Sequence, residues 1–296
     1  MKTKSCAAAL GTFDGVHLGH KKVISEAVLF ARKNRVPCVV ATFDPHPSSI
    51  TDPRRTVKLL SNVNERASLV SALGADVLAV LKFDKKLRSM SPEVFVKKII
   101  VEGLQAACVF VGEDYTFGRD KKGHIAVLKK LGKKYGFGVR AVRDKLENKR
   151  IVKSTLIRHL LTSGEFSHAV KLMGHPYPVF GKVIKGEGRG RTLGFPTANI
   201  KVSDDKLLPM DGVYSCTAVY GGRSYKGALN IGRRPTFKGR DRSVEAYLIG
   251  FSGRLTGKEV QIYIKKRLRK EKRFRDGNEL ASAIRHDVKV AMRSGL

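Results

Sequence analysis

Gly11-Thr12-Phe13-Asp14-Gly15-Val16-His17-Leu18-Gly19-His20 is the stretch on which the reading of this chain turns. A short apolar run, Ser5 to Leu10, precedes it and reads as a strand; the pattern from Leu18 to Asn34 that follows reads as a helix. His17 and His20 are three apart, so at a helical turn their rings face the same way. Gly19 removes the side chain that would otherwise stand between backbone and ligand. The free N–H groups and the positive dipole end of the helix suit a triphosphate. Two imidazoles there can donate hydrogen bonds to phosphate oxygens as charge moves onto a leaving pyrophosphate. Such chemistry rests on positioning and electrostatics, with no covalent intermediate required. Two histidines at this spacing also fit a surface helix or a stray metal pair. Their place between a strand and a helix, with glycines at the turn, favours the anion site.

Outward from this stretch the first half keeps the same grammar. Pro37 to Phe43, Asp76 to Phe83 and Ala106 to Val111 read as further strands, and Asn64 to Leu73 and Pro92 to Glu102 as helices. Alternating strands and helices predict an α/β nucleotide-binding domain, a Rossmann-like parallel sheet with helices on both faces and ligands at the strand ends. Ser154 to Leu172 reads as two short joining helices. Past Pro176 the pattern becomes short β-rich pieces between Gly and Pro: Val179 to Ile184, Gly212 to Tyr220, Ser224 to Ile231, Ser243 to Phe251 and Glu259 to Lys266. Close-spaced short strands predict a small antiparallel β-barrel, closed by a terminal helix from Asp276 to Met292. The boundary is placed near Gly174, giving domains 1–173 and 174–296.

The 296 residues suit two domains of ordinary size, and 42% hydrophobic content is enough to bury cores. With 58 Lys and Arg against 26 Asp and Glu, the formal charge is +32. That predicts attraction to polyanions, or reflects a generally basic set of proteins in the source organism. Cys6, Cys38, Cys108 and Cys216 sit among Ala and Val with no metal spacing, and read as small buried hydrophobes in a reducing compartment. The apolar part of Lys2 to Leu10 is too short for a signal peptide, and no run reaches the length of a membrane span. A cytoplasmic, soluble protein is expected.

A second constellation is Gly186-Glu187-Gly188-Arg189-Gly190-Arg191-Thr192-Leu193-Gly194-Phe195-Pro196-Thr197-Ala198-Asn199. Glycines let a loop fold its backbone over phosphates, and the arginines add charge-assisted bonds. It is no Walker sequence, since neither Gly-Lys-Ser nor Gly-Lys-Thr follows. In an extended segment Thr197 and Asn199 face one side, where two neutral oxygens can help hold Mg²⁺ beside a nucleotide. Taken alone, the pair also reads as turn formers after Pro196.

The Gly11–His20 string resembles the signature of the nucleotidyltransferase module of bacterial bifunctional riboflavin kinase/FAD synthetases. Thr42-Phe43-Asp44-Pro45-His46-Pro47 resembles the second motif of that family, and Val111-Gly112-Glu113-Asp114-Tyr115-Thr116-Phe117-Gly118 its loop on the flavin side. Ser154-Thr155-Leu156-Ile157-Arg158 resembles its phosphate-gripping motif. In the second half, Gly186 to Asn199 closely resembles the riboflavin kinase motif with its Pro-Thr-Ala-Asn core. Pro209 to Tyr214 and Asn230 to Thr236 resemble further family segments.

The resemblance implies riboflavin, FMN and ATP as substrates, FAD as product and Mg²⁺ as cofactor. It implies that the FMN phosphate attacks the α-phosphorus of ATP, with His17 and His20 stabilising the leaving group. Gly11, Phe13, Gly19, Ser154, Thr155 and Arg158 are the implied ATP and phosphate contacts of the first domain; Asp44 and Asp114 are those to flavin. In the second domain Gly186, Gly188, Arg189 and Gly190 would hold ATP, and Thr197 and Asn199 the metal. Glu245 falls where the family has its catalytic glutamate and would take the proton of the ribityl 5′-hydroxyl.

The chain departs from the family pattern at Lys153 (usually Ser) and Lys121 (usually Arg), which keep or add positive charge. It also departs at Tyr247, Gly250, Arg254 and Thr256, around Glu245. Lys265 to Arg275 packs eight basic residues into eleven positions, with Phe274 its only aromatic, so a solvated strand end is favoured over a nucleic-acid platform. Two other readings remain: one active half with the other as scaffold, or a basic nucleic-acid-binding protein on a nucleotidyltransferase fold.

Overall fold

β1 (Cys6–Leu10) is the axis of the first half, and its sequence Cys-Ala-Ala-Ala-Leu is buried throughout. Successive side chains point to opposite faces, and both faces are covered. Ala7 and Ala9 enter one core with Val23, Ile24, Ala27, Val28 and Ala31 of α1 (Leu18–Asn34). Cys6, Ala8 and Leu10 enter the other. Small residues on β1 let the helix backbone approach closely, which places the start of α1 directly over the end of the strand.

The computed structural model describes residues 5–51, 57–143, 145–147, 150–186, 190, 194–233, 242–272 and 274–293. The chain divides into two compact units, Met1–Ser154 and Thr155–Leu296. In the first unit β2 (Cys38–Asp44) follows α1, then α2 (Pro47–Thr51), α3 (Val63–Ser71) and β3 (Val77–Lys82). After them come α4 (Lys85–Ser89), α5 (Pro92–Phe95), β4 (Ala106–Gly112), α6 (Ile125–Tyr135) and β5 (Gly138–Val142), then a small hairpin of β6 (Leu146–Glu147) and β7 (Arg150–Ile151). The main sheet is parallel throughout, in the order β3-β2-β1-β4-β5. The order reverses between β1 and β4, and a crevice opens at the carboxyl ends of strands at such a switch point. The loop Gly11–His17 leaves one side of it and the loop beyond Gly112 the other.

Several elements differ from the sequence expectation. The helix expected over 92–102 begins as α5 but continues as a π-helical stretch, Val96–Gly103, closed by Leu104 N–H donating to the Ile99 carbonyl at 2.8 Å. The apolar spacing does not distinguish this wider turn from a regular one. α6 and β5 were unassigned from sequence; α6 buries only Leu128, Leu131 and Gly132 among its lysines.

α7 (Ser154–Ser163) and α8 (Phe166–Met173) are the two joining helices. In the second unit Phe166 packs edge-on against Tyr214, with ring centroids 5.0 Å apart. The contact division at Ser154 thus precedes the sequence boundary at Gly174, because these helices pack with the barrel. The barrel strands are β8 (Tyr177–Ile184), β9 (Ala198–Lys201), β10 (Gly212–Tyr220), β11 (Arg223–Arg233), β12 (Arg242–Leu248) and β13 (Glu259–Arg269). They close antiparallel in the order β10-β11-β12-β9-β8-β13. Four residues of β9 behind Pro196 give little periodic signal, so the sequence marked five strands where the barrel has six. All four cysteines are free and buried.

The terminal helix α9 (Gly277–Arg293) lies against β10 and β11 and is fastened to β13 by charge. Arg269 donates to Asp287 through Nε at 3.0 Å and Nη2 at 2.8 Å, and Asp287 is only 4% exposed. Bidentate pairing of a buried carboxylate is costly to break from one side. Asp287→Ala is expected to lower stability by about 2 kcal/mol. Urea unfolding followed by circular dichroism reads this as a lower midpoint at unchanged slope. A loss under about 0.5 kcal/mol would show that apolar packing alone holds the helix.

Candidate active sites

The Gly11–His20 loop holds an unfavourable backbone against a buried carboxylate. Phe13 and Val16 have φ of 46° and 40°, and for a β-branched valine that is a true outlier. Asp14, 1% exposed, accepts from the amides of Leu60 at 3.1 Å and Ser61 at 2.9 Å. Gly15 N–H donates to Ser61 Oγ at 2.8 Å, and Ser154 Oγ to the Asp14 carbonyl at 3.0 Å. Asn62 then caps α3 reciprocally with Glu65, so the loop is tied to a helix start. From α3 the buried Arg66 donates through Nη1 to Thr12 O at 3.1 Å, Thr42 Oγ1 at 2.6 Å and Phe43 O at 3.2 Å. One guanidinium therefore joins the ends of β1 and β2.

His17 is the N-cap of α1, and its Nδ1 accepts from His20 N–H at 3.4 Å, which puts any ring proton of the neutral form on Nε2. The two imidazoles stack, centroids 3.6 Å apart and planes 20° from parallel. Phe13 meets the His20 ring edge-on at 5.4 Å. A Cβ on Gly19 would stand 3.2 Å from the His17 ring, so this glycine makes room for the histidine itself. His20 Nδ1 is buried and has no hydrogen-bond partner among the described residues. Burial first, then His17 and the Arg66 guanidinium, hold this imidazole well below the ordinary histidine range.

The other named residues of this unit lie at neighbouring strand ends. Asp44 ends β2, exposed. Asp114 lies two residues past β4 and pairs with Lys153, Nζ to Oδ2 3.3 Å. The departure at 153 thus meets a candidate flavin contact. Lys121 is exposed in a 3-10 turn, Arg119–Lys121. Gly11, Phe13, Gly19 and Ser154 share the loop region with His17 and His20. Thr155 and Arg158 lie on α7 in the second unit.

In the barrel, β12 alternates buried Val244, Ala246 and Leu248 with outward Ser243, Glu245 and Tyr247. Glu245 stands opposite Asn199 of β9 on one side and Asn230 of β11 on the other. Directly opposed residues of antiparallel strands share a face. The structure therefore lines up Asn199, Glu245 and Asn230 on the outer wall. Asn230 was not singled out as a site residue from sequence; only its register with Glu245 reveals it.

Asn199 is nonetheless buried, and a Cβ on Gly186 would overlap its amide, so Gly186 lies over it. Phe195 N–H donates to the Gly190 carbonyl at 2.8 Å, closing the loop before Thr197. Gly188 and Arg189 lie outside the described residues. Tyr247, a departure, packs edge-on against Phe195 at 5.4 Å, and Gly250 takes φ 74° in a turn. Arg254 and Thr256 are exposed.

Comparison with known proteins assigns each half. Residues 1–156 match the FAD synthetase family and residues 173–294 the riboflavin kinase family. A bifunctional riboflavin kinase/FMN adenylyltransferase from Listeria monocytogenes is 37% identical over 281 residues, 94% of this chain and 89% of that one. The protein of the same name from Bacillus subtilis is 36% identical over 290 residues, 96% and 91% of the two chains. A solved structure described as a macrolide-efflux protein from Streptococcus pneumoniae superposes with a TM-score of 0.84 at 30% identity, covering 100% of this chain and 96% of that one. A parallel-sheet nucleotidyltransferase unit followed by a flavokinase barrel is the class defined here. The chain belongs to the bifunctional riboflavin kinase/FMN adenylyltransferase family.

The depressed His20 titration has a signed consequence. Its folded-state value lies below the ordinary 6.5, so the unfolded chain binds the proton first as pH falls. Stability present above pH 6.5 is lost below it, by up to about 1.4 kcal/mol per pH unit. Thermal unfolding of the wild type and His20→Gln between pH 7.5 and 5 is expected to show a shallower decline in the variant. Parallel curves would place the His20 titration near its ordinary value.

Proposed function

We propose that the chain carries out two successive steps of flavin cofactor synthesis. Riboflavin is phosphorylated by ATP to FMN, and AMP is then transferred from ATP to FMN, giving FAD and pyrophosphate. Residues 174–296 are assigned the first step and residues 1–173 the second, with α7 and α8 as the join. The observation that carries this reading is the back-to-back match of both families on one chain, each over its own polar constellation.

In the first unit the FMN phosphate oxygen attacks the α-phosphorus of ATP and pyrophosphate departs. His17 and His20 face that leaving charge from the N-terminus of α1, and the buried His20 Nδ1 has capacity to bind it. Gly11, Phe13 and Gly19 shape the loop, and Ser154, Thr155 and Arg158 are the further phosphate contacts. Asp44 and Asp114 are assigned to flavin, at the ends of β2 and β4.

In the barrel Glu245 accepts the proton of the ribityl 5′-hydroxyl as the γ-phosphoryl group arrives. Asn230 and Asn199, its register neighbours, orient that carboxylate. Thr197, Asn199 and Glu245 offer hard oxygen donors that suit Mg²⁺, with the Asn199 amide cradled by Gly186. Bound there, the ion would neutralise nucleotide phosphate charge. Gly186, Gly188, Arg189 and Gly190 are assigned to ATP.

Three of the eight basic residues of the run hold the fold itself, which supports a structural over a nucleic-acid role. Arg267 donates to the Asp211 carbonyl at 2.6 Å, Arg269 holds Asp287, and Lys272 pairs with Glu279 at 3.3 Å. No helix among the described residues is long and apolar enough to cross a membrane. The four buried thiols support a cytoplasmic site of action.

Purified protein incubated with riboflavin, ATP and Mg²⁺ is expected to form FMN first and FAD later, separated by chromatography. His20→Ala is expected to cut FAD formation about 100-fold or more while FMN accumulates. Glu245→Gln is expected to cut FMN formation by roughly 100-fold or more, leaving adenylylation of supplied FMN intact. Undiminished FAD formation in the first variant, or FMN formation in the second, would remove that residue from its role.

A further inference from the structure

Lys153 stands between two residues that both touch the Gly11–His20 loop. Before it, the Val152 carbonyl lies 3.6 Å from where a Gly19 Cβ would be. After it, Ser154 Oγ donates to the Asp14 carbonyl at 3.0 Å. Val152 is itself buried, and its N–H donates to the Lys145 carbonyl at 3.0 Å. The backbone at 153 is therefore fixed beside the loop that ends β1, while its side chain is 53% exposed. Its ammonium lies 3.3 Å from Asp114 Oδ2, just past β4. β1 and β4 are the two strands that flank the switch point. The pair thus joins the two sides of the crevice where this fold binds its ligands.

An exposed Lys–Asp pair contributes little to stability, since both ions are well solvated and the long side chain loses freedom. It is correspondingly easy to exchange. A phosphate dianion offers three strong acceptor oxygens and more charge than one carboxylate. Two other described cations of this unit are committed elsewhere. Arg66 is buried on Thr12, Thr42 and Phe43, and Lys22 donates to the Arg143 carbonyl at 3.1 Å.

We propose that Lys153 is a phosphate-binding residue of the nucleotidyl-transfer site, held by Asp114 when the site is empty and transferred to a substrate phosphate on binding. The proposal rests on the adenylyl-transfer reading of the first unit and adds to it a residue peculiar to this chain's version of the motif. The phosphate has two sources, the 5′-phosphomonoester of FMN and the triphosphate of ATP. The lysine stays cationic throughout, and no bond to phosphorus forms through it.

The test compares the full-length wild type, Lys153→Met and Lys153→Arg. FMN and ATP are titrated separately by calorimetry at low and high salt. Lys153→Met is expected to weaken one of the two ligands by about tenfold, the loss of one charge-assisted hydrogen bond, and to flatten its salt dependence. Lys153→Arg is expected to keep most of the affinity, and the ligand that loses identifies the phosphate. In turnover Lys153→Met raises KM for that ligand with kcat little changed, while riboflavin phosphorylation reports an intact chain. Equal binding of both ligands by wild type and Lys153→Met would overturn the proposal, as would equal losses in Met and Arg variants. If the wild type forms no FAD, the adenylyl-transfer reading falls, and the binding comparison still decides the role of Lys153.

Discussion

The carboxylate of Asp14 is the point from which the first unit's chemistry is hung. Its oxygens hold the amides of Leu60 and Ser61 in a place without solvent, and the residues on either side pay for that anchorage with left-handed backbone at Phe13, Gly15 and Val16. Such conformations persist only where the surroundings over-determine them. Here Ser61 and Arg66, at the start of α3, and Ser154, far along the chain, do so together. The result is that His17 leaves the loop at one defined angle and becomes the cap of α1. The stacked imidazoles follow from that entry angle, since His20 is one turn further on.

In the barrel the organising constraint is register. Glu245 owes its neighbours to the pairing of β12 with β9 and β11, not to any loop. A one-residue slip would turn Glu245 into the interior and Val244 or Ala246 out to solvent. The apolar alternation along β12 forbids it. The clamp of Arg242 on Asp211, Nε to Oδ1 2.8 Å, together with the Leu208 and Pro209 carbonyls, fixes the loop that leads into β10. Precision at the polar row thus comes from the hydrophobic pattern behind it.

What was legible in the sequence was whatever is local. β1 and α1 announce themselves by an apolar run and a periodic stripe, and the two histidines by their spacing. Arg66 looked like any charge on an amphipathic helix, because its burial depends on Thr12 and Thr42, far away in the chain. Asn230 lay inside a quoted segment but gained meaning only from the strand opposite. The closeness of Gly19 to the ring of His17, two residues earlier, depends on a rotamer that sequence does not report. The π-helical stretch after α5 escaped because side-chain spacing is blind to one extra residue in a turn. The pairing of Lys153 with Asp114 joins segments 39 residues apart, and no periodicity reports it.

Two imidazoles stacked at 3.6 Å cannot both carry a proton without placing like charges in contact, at a cost of roughly 4 kcal/mol at this range. The stacked pair therefore holds at most one proton. Burial, with His17 and Arg66 close by, accordingly holds His20 well below the ordinary histidine range. A neutral His20 serves this helix end as a hydrogen-bonding group rather than as a fixed charge.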